Sequence, residues 1–175
     1  MAQSNPQEDP SASRQQQLIT FLRSLGIAVD PVAYPAHSTV EEGRALRGDM
    51  RGTFTKNLLL RDKKGRLFLV VAEETCLIDL RTLHGKIGAS GRLGFASPDT
   101  VRAILAVEPG ALTPLALMFD ENCKAAVVLD GSLMREEQLN FHPLVNTQSV
   151  GLSPAELVRY IDATGHAYVV VDFVA

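Results

Sequence analysis

Lys56 is the residue of this chain that most clearly suggests chemistry, because it interrupts an apolar stretch of predicted strand. The run from Thr55 to Arg66 reads as a strand, a short turn and the start of a second strand. Side chains alternate between the faces of a strand. One face should therefore carry Phe54, Lys56, Leu58 and Leu60, and the other Thr55, Asn57, Leu59 and Arg61. A lysine among apolar neighbours either serves an anion, a polar ligand or a reaction, or extends from the strand end to water.

The remaining reactive side chains do not have the spacing of a metal site. Cys76 and Cys123 are 47 positions apart, and the four histidines (His37, His84, His142 and His166) are scattered. There is no CxxC or HExxH pattern, no glycine-rich nucleotide loop and no GxSxG elbow. We therefore predict no metal and no cofactor, two reduced cysteines that serve packing, and a structural role for His166.

The elements that must position these residues follow from hydrophobic periodicity and turn residues. Helices are predicted at 14–25, 38–47, 78–83, 98–106 and 154–163. Strands are predicted around the 63–65 turn and at 93–96, 115–119, 125–129, 138–142, 149–152 and 166–174. Several strands are separated only by short polar links. This favours an α+β chain with a mixed, mostly antiparallel sheet over a doubly wound parallel sheet.

Length and composition predict one domain at residues 13–175, since the chain has 175 residues of which 46% are hydrophobic. Residues 1–12 are rich in Ser, Gln, Pro and Asp, which is typical of a disordered leader and not of a signal peptide. No apolar run approaches the roughly 20 residues of a membrane helix. We expect a cytoplasmic protein without a membrane partner.

Three motifs occur in a specific order: Thr55-Lys56-Asn57-Leu58, Pro109-Gly110-x-x-Thr113-Pro114 and Phe141-His142-Pro143-Leu144-x-Asn146. Through them the chain, from about Tyr34 onwards, resembles the YbaK/ProX aminoacyl-tRNA editing family, and most closely its ProX/PrdX branch. The resemblance implies a curved sheet or β-barrel wrapped by helices. It also implies a freestanding hydrolase that removes alanine from mischarged proline tRNA, with prolyl-tRNA synthetase as a further partner. Two alternatives stay open: removal of cysteine, as in the YbaK branch, or a non-catalytic module that binds tRNA or a synthetase.

The same resemblance assigns roles within the site. The catalytic residues would be Lys56, which stabilises developing charge, Gly110, whose backbone orients water or the aminoacyl group, and His142, which hydrogen-bonds the substrate. The substrate-binding residues would be Asn57, Tyr34, His37, Thr39, Thr113 and Pro114. We expect the Lys56 amine to share one sheltered cavity with the Gly110 loop and the Phe-His-Pro corner.

A basic segment lies within an acidic chain. The net charge is −3, whereas residues 44–66 hold eight basic and two acidic residues. A local basic patch can dock a phosphate backbone while the acidic remainder repels it; the alternative is an ordinary solvated hairpin tip. The predicted tRNA contacts are Arg44, Arg47, Arg51, Lys63, Lys64 and Arg66.

Overall fold

The fold is an open, mixed eight-stranded sheet with helices on both faces, seen in a computed structural model that describes residues 10–35 and 40–173. The helices are α1 Pro10–Ser24, α2 Val40–Arg47, α3 Leu80–Lys86, α4 Pro98–Leu105 and α5 Pro154–Ala163. The strands are β1 Val32–Ala33, β2 Thr53–Arg61, β3 Leu67–Glu73, β4 Gly94–Phe95, β5 Ala125–Asp130, β6 Leu139–Phe141, β7 Gln148–Leu152 and β8 Tyr168–Val171. Short 3-10 helices occupy Pro109–Ala111, Pro114–Phe119 and Leu133–Arg135.

The strand order is β1-β7-β6-β2-β3-β5-β8, and β4 adds to β2. Four strand pairs are antiparallel (β1–β7, β2–β3, β2–β4 and β6–β7), and three are parallel (β2–β6, β3–β5 and β5–β8). The predicted mixed α+β sheet is therefore confirmed. The sheet does not close into a barrel, because β1 and β8 remain its two edges within the described chain.

Each face of the sheet has its own core, as the alternation along β2 requires. Leu59 belongs to the larger core, which α1, α4 and α5 cover. Its neighbour Leu60 belongs to a smaller core closed by Leu83 of α3 and by Leu93. Both leucines are almost fully buried, at 3% and 0% exposure. The central strands thus have apolar contacts on both faces, which is typical of a sheet covered by helices on each side.

Local capping explains most helix boundaries. Ser153 and Glu156 form a reciprocal capping box at the start of α5, and Ser97 caps α4 in the same position relative to its proline. The predicted helix at 78–83 begins later, at Leu80, because the Asp79 side chain accepts the Arg81 N–H and acts as its N-cap.

One predicted strand is wrong. Residues 115–119 form a 3-10 helix, not a strand, although their apolar sequence fits either. Pro114 occupies the first turn and the Thr113 hydroxyl accepts the Leu115 N–H, so the segment has a proper helix start. A further difference concerns the leader: α1 begins at Pro10, so residues 10–12 are helical. Every helix in the described ranges is too short or too polar to cross a bilayer.

Candidate active site

The candidate site centres on an edge of β2 that lacks a strand partner. β3 pairs with one edge of β2 along residues 55–61. On the other edge β6 pairs with Thr53 and Phe54, and β4 pairs with Leu60 and Arg61. The Leu59 carbonyl also accepts the Ala96 N–H at 2.8 Å on this edge. Within the described chain, residues 55–58 therefore have no ladder partner on that side. We call this stretch the β2 notch. Pro143 explains why β6 ends early, since proline lacks the N–H that a ladder requires.

Lys56 and Asn57 flank the β2 notch from opposite faces of the sheet. The half-buried Lys56 donates from Nζ to the backbone carbonyl of Cys76. By alternation it shares its face of β2 with Leu58 and Leu60, which belong to the smaller core. Asn57 donates from Nδ2 to the carbonyl of Leu112 at 3.0 Å, on the side of the larger core. Each side chain is thus fixed by the main chain of another element, which limits its rotamers.

The expectation of a single cavity for the Lys56 amine and the Gly110 loop is corrected by these contacts. The loop contacts β2 through Leu112 and Asn57, whereas the amine points to the other face. The physical reason is the two-residue period of the strand, because consecutive side chains cannot share a face.

Asn57 also carries an unsatisfied atom. Its Oδ1 is buried and finds no hydrogen-bond donor among the described residues. Buried polar atoms nearly always have a partner, and an orphaned acceptor costs about 1–3 kcal/mol. The amide is oriented by its bond to Leu112, which leaves Oδ1 as a pre-placed acceptor for a donor from outside the chain.

His142 lies one residue beyond β6, in a corner with Tyr34 and Ser149. Its Nδ1 is 3.0 Å from the Gln148 carbonyl and 3.4 Å from the Tyr34 hydroxyl. The Tyr34 hydroxyl is 2.6 Å from the Ser149 hydroxyl. Because a carbonyl only accepts, Nδ1 of His142 carries a proton in this contact. The parallel ladder with β2 ends at Phe54↔Asn140, two residues before His142.

The Gly110 loop lies against the segment that follows His142. Gly110 is exposed, and a Cβ built on it would lie 3.7 Å from the Asn146 Nδ2. Thr113 and Pro114 are buried beneath the loop, where the Thr113 hydroxyl caps the next 3-10 helix. These two residues support the loop in the described structure. Asn146 was absent from the predicted site residues, although it ends the Phe-His-Pro-Leu-x-Asn motif that could have pointed to it.

A cleft of about 650 Å³ opens on the Lys56 side and is lined by Cys76, Asp130, Ser132 and Phe173, among others. Its volume lies in the range of small-ligand sites. Burial raises the pKa of the Cys76 thiol, and the neighbouring Asp130 carboxylate raises it further. Asp130 itself accepts the N–H and hydroxyl of Ser132, which caps the turn after β5.

The predicted tRNA-binding residues do not form one patch. Arg51 precedes β2, whereas Lys63, Lys64 and Arg66 lie beyond its far end; a nine-residue strand separates the two groups by roughly 27 Å. Arg47 is mostly buried: its side chain is 11% exposed, bonded to Glu74 at 2.8 Å and stacked 4.1 Å from the Phe54 ring. His37, Thr39 and the side chain of Arg44 lie outside the described part of the chain.

Comparison with known proteins identifies the family. The model of the aminoacyl-tRNA editing domain matches residues 34–160. The chain belongs to the aminoacyl-tRNA editing domain family. It is 34% identical to the prolyl-tRNA editing protein ProX of Acetoanaerobium sticklandii, over 87% of this chain and 93% of that protein. It is also 34% identical to the prolyl-tRNA synthetase associated domain-containing protein 1 of Danio rerio, over 90% of this chain and 86% of that protein.

The fold of this editing domain is shared with a solved structure of a candidate trans-editing enzyme for prolyl-tRNA synthetase. The TM-score is 0.72 at 24% identity, over 95% of this chain and 98% of the other. Together with the sequence relatives, this confirms the resemblance to the YbaK/ProX family. Among the described residues, no group of His, Cys, Asp and Glu side chains converges as metal ligands would.

Proposed function

We propose that this editing-domain protein is a trans-editing deacylase that hydrolyses the ester of alanine wrongly attached to proline tRNA. Membership of the editing family supports deacylation as the reaction. The names of the relatives support the prolyl-tRNA system as its setting, with mischarged proline tRNA as substrate and prolyl-tRNA synthetase as a partner. The choice of alanine rests on the resemblance to the ProX branch.

The orphaned Oδ1 of Asn57 carries the structural argument. An aminoacyl ester brings an α-ammonium group, which is a strong donor and carries a positive charge. A hydrogen bond from that ammonium to Oδ1 would satisfy the acceptor and place the amino acid in the β2 notch. A charge-assisted bond of this kind is roughly twice as strong as a neutral one.

Lys56 and His142 complete the proposed chemistry on the other side of the notch. Water attacks the ester carbonyl, negative charge develops on its oxygen, and the bond to the terminal ribose oxygen breaks. A lysine offers three N–H groups, of which the Cys76 carbonyl accepts one. The ammonium can therefore stabilise the developing charge, while His142 hydrogen-bonds the attacking water or a ribose hydroxyl.

The proposed selectivity depends on size, not on attraction. A pocket fitted to a methyl side chain excludes the proline ring by overlap, and steric exclusion discriminates more strongly than the ~1–3 kcal/mol of one methylene contact. The exposed backbone of Gly110 beside Asn146 suits a wall of this kind, because a glycine brings the main chain close to the ligand.

A discharge assay tests the proposal. Proline tRNA is charged with alanine, cysteine or proline, and the release of each amino acid is followed with the wild type, Lys56→Ala and the matched turn variant Lys64→Ala. We expect rapid loss of alanine, intact prolyl-tRNA, and loss of activity in Lys56→Ala alone. Release of cysteine only would identify the alternative substrate. Binding of tRNA without any release would support the non-catalytic module.

A further inference from the structure

An exposed thiol lies beside a buried imidazole, and neither residue belongs to the three editing motifs. Cys123 is exposed and follows the 3-10 helix Pro114–Phe119, in the turn that leads into β5. Its backbone has a φ of 47°, in the left-handed region that few non-glycine residues adopt. The sequence prediction of a packing thiol is therefore wrong for Cys123, although it holds for the buried Cys76.

A buried carboxylate orients this imidazole. The Nε2 of His166 is 3.2 Å from Asp120 Oδ2, and the two side chains are 0% and 2% exposed. Asp120 Oδ2 also accepts the Ala125 N–H at 2.8 Å, which anchors the carboxylate to β5. Since the carboxylate accepts, Nε2 carries a proton, and Nδ1 is the nitrogen that faces the thiol.

The surroundings of Nδ1 can hold a transferred proton. Cys123 Sγ lies 3.9 Å from Nδ1, and the Thr164 hydroxyl oxygen lies 2.9 Å from it. That hydroxyl can donate to the Ile161 carbonyl at 2.7 Å, which leaves its oxygen as an acceptor. A proton that moves from the thiol to Nδ1 is then hydrogen-bonded by Thr164, while Asp120 balances the new positive charge.

Carboxylate, imidazole and thiol thus follow one another in the order used by cysteine nucleophiles. They form a chain and do not converge on one point, so the arrangement suits proton transfer and not metal binding. We propose that Cys123 is a nucleophilic modification site that exchanges with small-molecule disulfides, with His166 as its base and Asp120 as a positioning residue.

The exchange balances without a further reagent. The thiol proton passes to Nδ1 of His166, and the thiolate attacks one sulfur of the small disulfide. A new S–S bond joins Sγ to that sulfur, and the original S–S bond breaks. The released thiolate recovers the proton from His166. The product is a mixed disulfide on Cys123 and one free small thiol.

The second cysteine supplies an internal control. Cys76 is 9% exposed, and burial together with the Asp130 charge raises the pKa of its thiol. Both effects disfavour the thiolate that disulfide exchange requires. The two cysteines of the folded protein should therefore differ strongly in rate, and reactivity of Cys76 would report unfolding.

The test is exposure of the full-length protein to glutathione disulfide near neutral pH, followed by intact mass measurement and peptide mapping. We expect one adduct per chain, on Cys123, that a reducing agent removes. Cys123→Ser should abolish the adduct and Cys76→Ser should retain it. His166→Gln should slow modification about tenfold, because the thiol loses its base. Equal rates at the two cysteines of the wild type would overturn the proposal.

Three further variants distinguish proton transfer through His166 from a general loss of structure. Asp120→Asn should slow the exchange less than His166→Gln, since the imidazole remains. If either buried variant unfolds, Cys76 becomes reactive, and Thr164→Val at a partly exposed position decides instead. This variant removes the acceptor of the Nδ1 proton, so the rate at Cys123 should fall while Cys76 stays protected; an unchanged rate contradicts the proposal. No tRNA is present, so the outcome is independent of the deacylase assay.

Discussion

The two halves of β2 differ in almost every physical respect. In the half from Thr53 to Asn57, polar side chains bind the main chain of other elements, as with Thr55 and the Asn140 carbonyl at 3.1 Å. The half from Leu58 to Arg61 contains Leu59 and Leu60, which are almost fully buried. Residues 55–57 of the first half belong to the β2 notch, whereas Leu60 is paired on both edges, with Phe68 and Phe95.

The hydrogen bonding of buried polar atoms also differs between the two halves. Asp62, just after the apolar half, is 5% exposed, and its carboxylate accepts four hydrogen bonds. The donors are the N–H groups of Lys64, Arg66 and Ser90 and the Arg66 guanidinium. In the other half, Asn57 Oδ1 has no donor within the described chain. The turn that follows β2 thus has a hydrogen-bonded carboxylate, whereas the first half of β2 contains a buried oxygen without a donor.

The difference suggests that stability and the proposed function depend on separate halves of the same strand. The apolar half contributes Leu59 to the larger core and Leu60 to the smaller core. The polar half lacks ladder partners on one edge beyond Phe54, and it contains the buried Asn57 Oδ1 that has no donor among the described residues. Functional sites are expected to deviate in this way from the rules that stabilise a fold.

The largest expected effect comes from removing the Lys56 charge while keeping its apolar stem. Lys56→Met should lower kcat for alanyl-tRNA deacylation by roughly 100-fold or more, about 3 kcal/mol of lost transition-state stabilisation. Its melting temperature should stay close to that of the wild type, because the side chain is half-buried. Single-turnover deacylation and thermal unfolding are the measurements. A large decrease in Tm with an unchanged kcat would show that Lys56 serves stability and not catalysis, which contradicts the proposed difference between the two halves.

The opposite signature is expected from the apolar half. Leu60→Ala leaves a cavity in the smaller core, where the side chain is 0% exposed, and should lower the free energy of unfolding by roughly 2–5 kcal/mol. The kcat per folded molecule should not change, since Leu60 does not border the notch. Urea unfolding gives the stability, and Leu58→Ala, at a partly buried position, is the control with a smaller expected loss.

The sequence predicted the strand pair around the 63–65 turn because alternation, length and turn residues all agree there. Both strands form as predicted. The helices that begin at Pro98 and Pro154 start where the Ser-Pro pairs predict a cap. The prediction of a strand at 115–119 was wrong, because short apolar runs fit a strand or a helix equally well. Its state depends on the Thr113 cap, which a hydrophobic pattern does not reveal.

The candidate site was predictable only in part. The motifs pointed to Lys56, Asn57 and His142, and alternation predicted that the first two occupy opposite faces. The β2 notch was not predictable, because it depends on where β6 and β4 stop along β2. Strand register is a long-range property, set by the whole sheet. The split of the basic residues has another cause, since Arg51 precedes the nine-residue strand β2 and Lys63 follows it.

Acid should weaken the satisfied turn. Burial alone would raise the pKa of Asp62, but the hydrogen bonds from Ser90, Arg66 and Lys64 outweigh it and lower the pKa to about 2. In the unfolded chain the value is about 3.9. The native state thus gains stability from ionised Asp62 above pH ~4 and loses it as the pH falls towards ~2.

Asp62→Asn removes this contribution. The variant should be less stable than the wild type at neutral pH, by less than Leu60→Ala, because the amide still offers one acceptor oxygen. The stability difference should shrink as the pH falls through 4 towards 2. Urea unfolding at several pH values measures it, with Asp99→Asn on the exposed surface of α4 as the control. A difference that is constant with pH would show that the Asp62 charge does not stabilise the turn.

The smallest expected effect distinguishes the two ends of β2 as tRNA contacts. Arg51 is exposed at the polar end, where its carbonyl is held by Asn140 at 2.8 Å, and Lys64 is exposed in the far turn. If the polar half receives the substrate, Arg51→Ala should raise the KM for alanyl-tRNA about threefold and weaken its salt dependence, because each phosphate contact contributes to the salt slope. Lys64→Ala should leave both unchanged, since a strand of roughly 27 Å separates it from Arg51. Both variants should keep wild-type stability, because exposed substitutions usually change it by less than ~0.5 kcal/mol. A larger increase in KM from Lys64→Ala than from Arg51→Ala would indicate that the tRNA docks at the turn after the apolar half of β2.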